Sequence, residues 1–142
     1  MRTENLSYDM KSARWSAPFP AMDSPRTMVL AFGESDLSLT PEVMRELRAA
    51  YPNSLVAGCS ASGEIVDLTV RDKVVSVSVV KFTNTPIAAA VAECRESKSS
   101  FAVGESLAKK LNKPLLRSVF VLSDGLNVNG SELVRGLNSV LD

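Results

Sequence analysis

Residues 73–82, K-V-V-S-V-S-V-V-K-F, constrain the fold of this 142-residue chain more than any other stretch. Valine fills positions 74, 75, 77, 79 and 80, and serine fills 76 and 78. β-Branched side chains pack well on a pleated surface, and the serine alternation gives one face small side chains. The segment therefore reads as a sheet strand, and the rest of the chain has to supply its neighbours.

Helix and strand signals alternate around it. Residues 27–32 (T-M-V-L-A-F) read as the first clear strand, ended by Gly33. Thr40-Pro41 opens a helix, because threonine is a good N-cap and proline suits a first helical position whose N–H has no partner anyway. Val43, Met44, Leu47 and Ala50 or Tyr51 fall on one face of it, and Pro52-Asn53 stops it. Residues 54–57 form the second strand. Thr83-Asn84-Thr85-Pro86 reads as a turn from which residues 87–94 return as an antiparallel strand. The alanines in that return segment leave helix as the alternative. Ser99 or Ser100 caps a helix reaching Leu111, with Phe101, Gly104, Ala108 and Leu111 on a shared side. Residues 118–122 (S-V-F-V-L) read as a strand. Asn129 with Glu132 resembles a capping box for a last helix, whose buried face is Leu133, Val134, Leu137, Val140 and Leu141. Residues 1–26, broken by Pro18, Pro20 and Pro25, read as an irregular lead anchored by Trp15 and Phe19. The order β-α-β, hairpin, α-β-α predicts an α/β fold: a mixed β-sheet covered by helices.

Composition excludes several functions. Sixteen basic and sixteen acidic residues cancel, so charge offers nothing to nucleic acid or an anionic membrane. No apolar run approaches the roughly 18 residues of a membrane span, and the first ten residues lack the apolar core of a signal peptide. Two cysteines, Cys59 and Cys94, fit neither a disulfide framework nor metal-ligand spacing, as expected of a cytoplasmic protein. Histidine is absent, which removes Ser-His-Asp and Cys-His triads and His-based zinc or haem sites.

Two small-residue loops remain as candidate ligand contacts. In the first, Gly58, Cys59, Ser60, Ser62, Gly63 and Glu64 follow an apolar run. Small side chains let backbone amides approach a ligand carboxylate or carbonyl, the serines add donors, and Glu64 suits an ammonium. The alternative is a tight strand-to-strand turn. In the second, Ser123, Asp124, Gly125, Asn127, Asn129 and Gly130 lie beyond the end of the 118–122 strand, where α/β sheets commonly bind ligands. Here the alternative is Asp124 bonded to its own loop amides and Asn129 capping the last helix. Catalysis by Cys59 or Ser60 lacks a base to activate either group, so the chain reads as non-enzymatic, with a Cys59 or Ser60 hydrolase as the alternative. No metal site is expected.

Four motifs carry a family resemblance: Trp15-Ser16-Ala17-Pro18, Met28-Val29-Leu30-Ala31-Phe32, Gly58-Cys59-Ser60-x-x-Gly63-Glu64-Ile65, and Ser123-Asp124-Gly125-Leu126-x-x-Asn129-Gly130-Ser131-Glu132-Leu133-Val134-Arg135-Gly136. With them the chain resembles the N-terminal half of the FIST domain, a sensory domain of bacterial signal transduction also found fused to F-box segments in eukaryotes. The resemblance implies a FIST N-type domain over residues 27–142, incomplete without a C-terminal half. It implies a small-molecule ligand, amino acids or related metabolites being one class. Implied partners are that C-terminal half and a downstream signalling protein, and a truncated sheet suggests a homo-oligomer. Some members are haem-containing nitric oxide sensors; for this chain the axial ligand would then lie in the C-terminal half.

Overall fold

The computed structural model describes residues 1–34, 41–66, 68–112 and 114–141, and they form two compact units, Met1–Ile87 and Ala88–Asp142. The first is a five-stranded mixed sheet with one helix. Its strands are β1 (Arg2–Asp9), β2 (Arg14–Trp15), β3 (Thr27–Glu34), β4 (Leu55–Ala61) and, after a small hairpin of β5 (Glu64–Val66) and β6 (Thr69–Arg71), β7 (Val74–Lys81). In the sheet the order is β2-β1-β7-β3-β4. The valine-rich segment is thus the central strand, β7. It pairs antiparallel with β1, Leu6 opposite Val77, and antiparallel with β3, Ala31 opposite Val77. β3 and β4 run parallel, joined through helix α1 (Pro41–Ala50).

Alternation decides which face is buried. Val75, Val77 and Val79 join Leu6, Tyr8, Val29 and Ala31 in one core, closed by Val43 and Leu47 of α1 with Tyr51 and Met22. Ser76 and Ser78 take the opposite face, where Ser78 Oγ donates to Asn5 Oδ1 at 2.7 Å, so the serine alternation reads as expected. Gly58 permits the β3–β4 approach: a β-carbon there would collide with the Ala31 carbonyl.

Two corrections concern this unit. The lead is irregular only in part, since Arg2–Asp9 is a strand at the heart of the sheet. Only Leu6 and Tyr8 of its eight residues are buried apolar side chains, too few to show a period. Trp15 and Phe19 do anchor the remainder: Tyr8, Trp15, Phe19 and Tyr51 stack edge-on in series at 5.1, 4.8 and 6.1 Å. Further bonds tie this lead to α1 and to the start of β4. Trp15 Nε1 donates to Glu46 Oε2 at 2.6 Å, and Tyr51 Oη donates to the Pro20 carbonyl at 3.0 Å. The Asp23 carboxylate accepts from Ser54 Oγ at 2.6 Å, Asn53 Nδ2 at 2.8 Å and the Asn53 amide at 3.1 Å. Strands β3 and β4 also run past Gly33 and Ala57, where they were expected to stop. The expected cap Thr40 lies outside the described residues.

The second unit is a pair of helices with irregular chain around them. After a 3-10 turn at Ser97–Ser99 come α2 (Ser100–Leu111) and α3 (Gly130–Asn138). The helices cross where Gly136 lies against the Phe101 carbonyl carbon, which a β-carbon would approach to 2.9 Å, and Gly104 lies against Leu133 and Leu137. Ala108, Leu133 and Leu137 form a small core there. As expected, α2 starts at Ser99–Ser100 and Asn129 caps α3, its Oδ1 accepting from the Glu132 amide at 3.2 Å. Phe101 and Val134, expected inside, are 37% and 50% exposed, because glycine rather than a large side chain makes the crossing.

Residues 87–94 and 118–122 are not strands. The expected hairpin with 73–82 does not form, and β7 takes β1 and β3 as its neighbours instead. A strand exists only through a partner, and a β-rich composition does not name one.

Candidate functional site

The two predicted loops lie in different units and differ in kind. In the first unit, Gly58, Cys59 and Ser60 belong to strand β4, not to a loop; only Ser62 and Gly63 make the turn into β5. Gly63 has φ +117°, a left-handed value suited to glycine. Cys59, Ser60 and Ser62 are exposed and Glu64 is buried, 3% accessible. This is the strand-to-strand turn weighed above, extended by the strand itself. Among the described residues neither Cys59 Sγ nor Ser60 Oγ is hydrogen-bonded to a base.

In the second unit, the predicted residues meet a set that sequence reasoning missed. The Asp124 carboxylate accepts from the Leu126 amide at 2.7 Å and from Asn127 Nδ2 at 2.7 Å. The Asn127 side-chain bond, followed by that of the Leu126 amide, holds the Asp124 carboxyl below the usual carboxylate range. Asp124 is therefore ionised and sits exposed on a loop that it closes itself. The Asn129 amide donates to Ser100 Oγ at 2.9 Å, which fixes the end of the loop against the first residue of α2. Cys94 lies at the same place: its thiol is 3.5 Å from Ser99 Oγ, 3.6 Å from Ser100 Oγ and 3.7 Å from the Asn127 carbonyl. Bonds from Ser99, then Ser100, pull the Cys94 thiol below its ordinary range, while the nearby charge of Asp124 pushes the other way.

Cys94, Ser99 and Ser100 thus join Asp124, Asn127 and Asn129 around the start of a 12-residue helix. Ser99 makes no side-chain bond to the helix amides. The loop that carries the ionised Asp124 is thereby tied to the start of α2, the positive end of that helix. The only hint in the sequence was the serine cluster at 97, 99 and 100 ahead of an apolar run. Ser123, Gly125 and Gly130 are exposed loop or helix-start residues.

An open recess of about 440 Å³ also lies in this unit, lined by Leu115, Leu116, Arg117, Val121, Val134 and Leu137 among others. None of the predicted ligand residues lines it. Among the described residues no group of three His, Cys, Asp or Glu could hold a metal ion, and no helix is long and apolar enough to cross a membrane. Histidine, a common axial ligand of haem, is absent from the chain, Tyr8 and Tyr51 are packed in the sheet core, and the Cys94 thiol is engaged at α2.

The first unit is thus a mixed sheet with one helix, and the second carries a polar cluster at the start of α2. The chain matches the FIST N domain family model over residues 27–142 and belongs to that family, whose domains are sensory modules of signal transduction. Comparison with curated proteins and with solved structures gives no match.

Proposed function

We propose that this chain is the ligand-binding part of a bacterial, cytoplasmic signalling protein, that it is not an enzyme, and that its ligand is an α-amino acid or a related zwitterionic metabolite. One observation carries the reading: the loop closed by the exposed, ionised Asp124 is fixed to the first residue of α2 through the Asn129 amide and Ser100 Oγ. A ligand carboxylate is received at the helix start, where amide dipoles favour an anion. The ligand ammonium pairs with Asp124, and Ser99, Asn127 and Asn129 supply neutral donors and acceptors. Ligand contact at this loop biases the domain toward one conformational state only if the two states bind it unequally. The C-terminal half of the domain and a downstream signalling protein are the partners that would read the bias.

The test is a thermal-shift screen of the chain against the twenty amino acids and their decarboxylated and deaminated analogues. A true ligand at a hundredfold excess over its Kd stabilises by about 2.7 kcal/mol. The reading predicts a shift for at least one amino acid, its loss in Asp124→Ala, and no shift for analogues lacking either charge. A silent screen contradicts it, as does a response that survives Asp124→Ala.

A further inference from the structure

Ser100 is fully buried at the first position of α2, yet its hydroxyl serves chain segments outside its own helix. Its Oγ accepts from the Asn129 amide at 2.9 Å and lies 3.6 Å from the Cys94 sulfur. A hydroxyl carries one proton and two lone pairs. With one lone pair given to Asn129, the Ser100 proton is left for Cys94, whose thiol reaches the Asn127 carbonyl at 3.7 Å. The neighbouring Ser99 turns its own proton to the Glu96 carbonyl at 2.7 Å instead. Between the two contact points Val128 packs on the core of Ala108, Leu133 and Leu137. Residues 127, 128 and 129 are thus held in turn by Cys94, by the helix core and by Ser100. The outer part of the loop is held only from within, since Asp124 accepts from Leu126 and Asn127 and Leu126 is 94% exposed.

We propose that Ser100 is a positioning residue of the Asp124 loop: its hydroxyl, which meets no ligand itself, sets the shape in which residues 124–129 are presented. Burial excludes Ser100 from ligand contact, so it acts through Asn129. Asn129 joins the starts of two helices, its amide bonded to Ser100 of α2 and its Oδ1 accepting from the Glu132 amide of α3 at 3.2 Å. A shift at that amide is passed two residues back to Asn127, whose side chain helps to close Asp124. Deleting the Ser100 oxygen takes away the acceptor of the Asn129 N–H, and a polar group that loses its partner without regaining water costs more than the bond itself contributed. Alanine is a better helix former than serine, and the Ser100 amide keeps its bond to the Ser97 carbonyl. The substitution therefore falls on the loop and not on α2. That the shape of the loop governs affinity rests on the ligand reading above; the positioning of the loop does not.

Nuclear magnetic resonance on the whole, ligand-free chain tests the proposal through Ser100→Ala. Exchange of the Asn129 amide should quicken about tenfold or more, while interior amides of α2 and α3 keep their rates. The Asp124 carboxyl, held low by Asn127 and Leu126, should titrate closer to an ordinary aspartate, a change that general loosening of the helices does not produce. Ser139→Ala removes a hydroxyl bonded inside α3 at the Gly136 carbonyl and should move neither signal. These readings need no ligand, so they stand or fall apart from the amino-acid screen. An amino acid that stabilises the unchanged chain in that screen should also bind Ser100→Ala about tenfold more weakly, because only molecules with the loop in place are competent. An Asn129 amide and an Asp124 titration that Ser100→Ala leaves unmoved overturn the proposal. So does an equal effect from Ser139→Ala.

Discussion

The two units handle backbone hydrogen bonding in opposite ways. In Met1–Ile87 every strand has a neighbour, and side-chain bonds from Trp15, Asp23, Thr27 and Tyr51 lock the loops onto the sheet and α1. In Ala88–Asp142 the two helices satisfy themselves locally, while residues 88–94 and 118–122, β-like in composition, have no ladder. The difference separates what local sequence can build from what only a distant partner can build.

Mutations can break or sharpen this contrast, and Trp15, the single tryptophan, reports on the first unit alone. Leu47→Ala, which empties a fully buried site between α1 and the sheet, should cost about 2–5 kcal/mol. The loss should appear in Trp15 fluorescence during denaturant unfolding. Gly136→Ala drives a methyl into the Phe101 carbonyl, and overpacking of this kind costs about 1–3 kcal/mol. Its effect should be seen in helical circular dichroism at 222 nm (a standard helix wavelength) with the Trp15 transition unmoved. If both substitutions shift both signals equally, the units unfold as one and the contrast fails.

Smaller effects refine it. Asn129→Ala removes the α3 cap and should cost about 1 kcal/mol, again confined to the helical signal. The least effect is a pH dependence. Burial opposes ionisation of Asp23, but bonds from Ser54 and Asn53 outweigh it and hold the carboxyl below its ordinary range. Because the folded value is depressed, the stabilisation is present above the unfolded aspartate value of about 3.9 and is lost as pH falls through the folded value. Denaturant midpoints at neutral pH and in acid should therefore differ less in Asp23→Asn than in the unchanged chain.

What could be read in advance follows the same division. Helices α1, α2 and α3 and strand β7 carry their signal in neighbouring residues: Thr40-Pro41, the serines before Phe101, Asn129 with Glu132, and the valines of 74–80. β1 does not, since R-T-E-N-L-S-Y-D shows only two buried apolar side chains and takes its place through β7, more than sixty residues on. Segments 87–94 and 118–122 failed in the reverse sense, with strand-like residues and no ladder. At the candidate site the Asp124 loop and the Asn129 cap were legible because they are local. Cys94, Ser99 and Ser100 were not, because they reach the loop across about thirty residues of chain. Gly58, Cys59 and Ser60 looked like a loop by composition, yet their pairing with Ala31, Phe32 and Gly33 makes them strand.

Amide hydrogen exchange on the free chain tests the central contrast most directly. Amides of β7, bonded on both sides, should exchange only through global unfolding, and those of α2 and α3 faster. Residues 88–94 and 118–122 should exchange fastest of the described segments. Protection of 88–94 and 118–122 equal to that of β7 would mean that both are paired strands, and the division drawn between the units would be wrong.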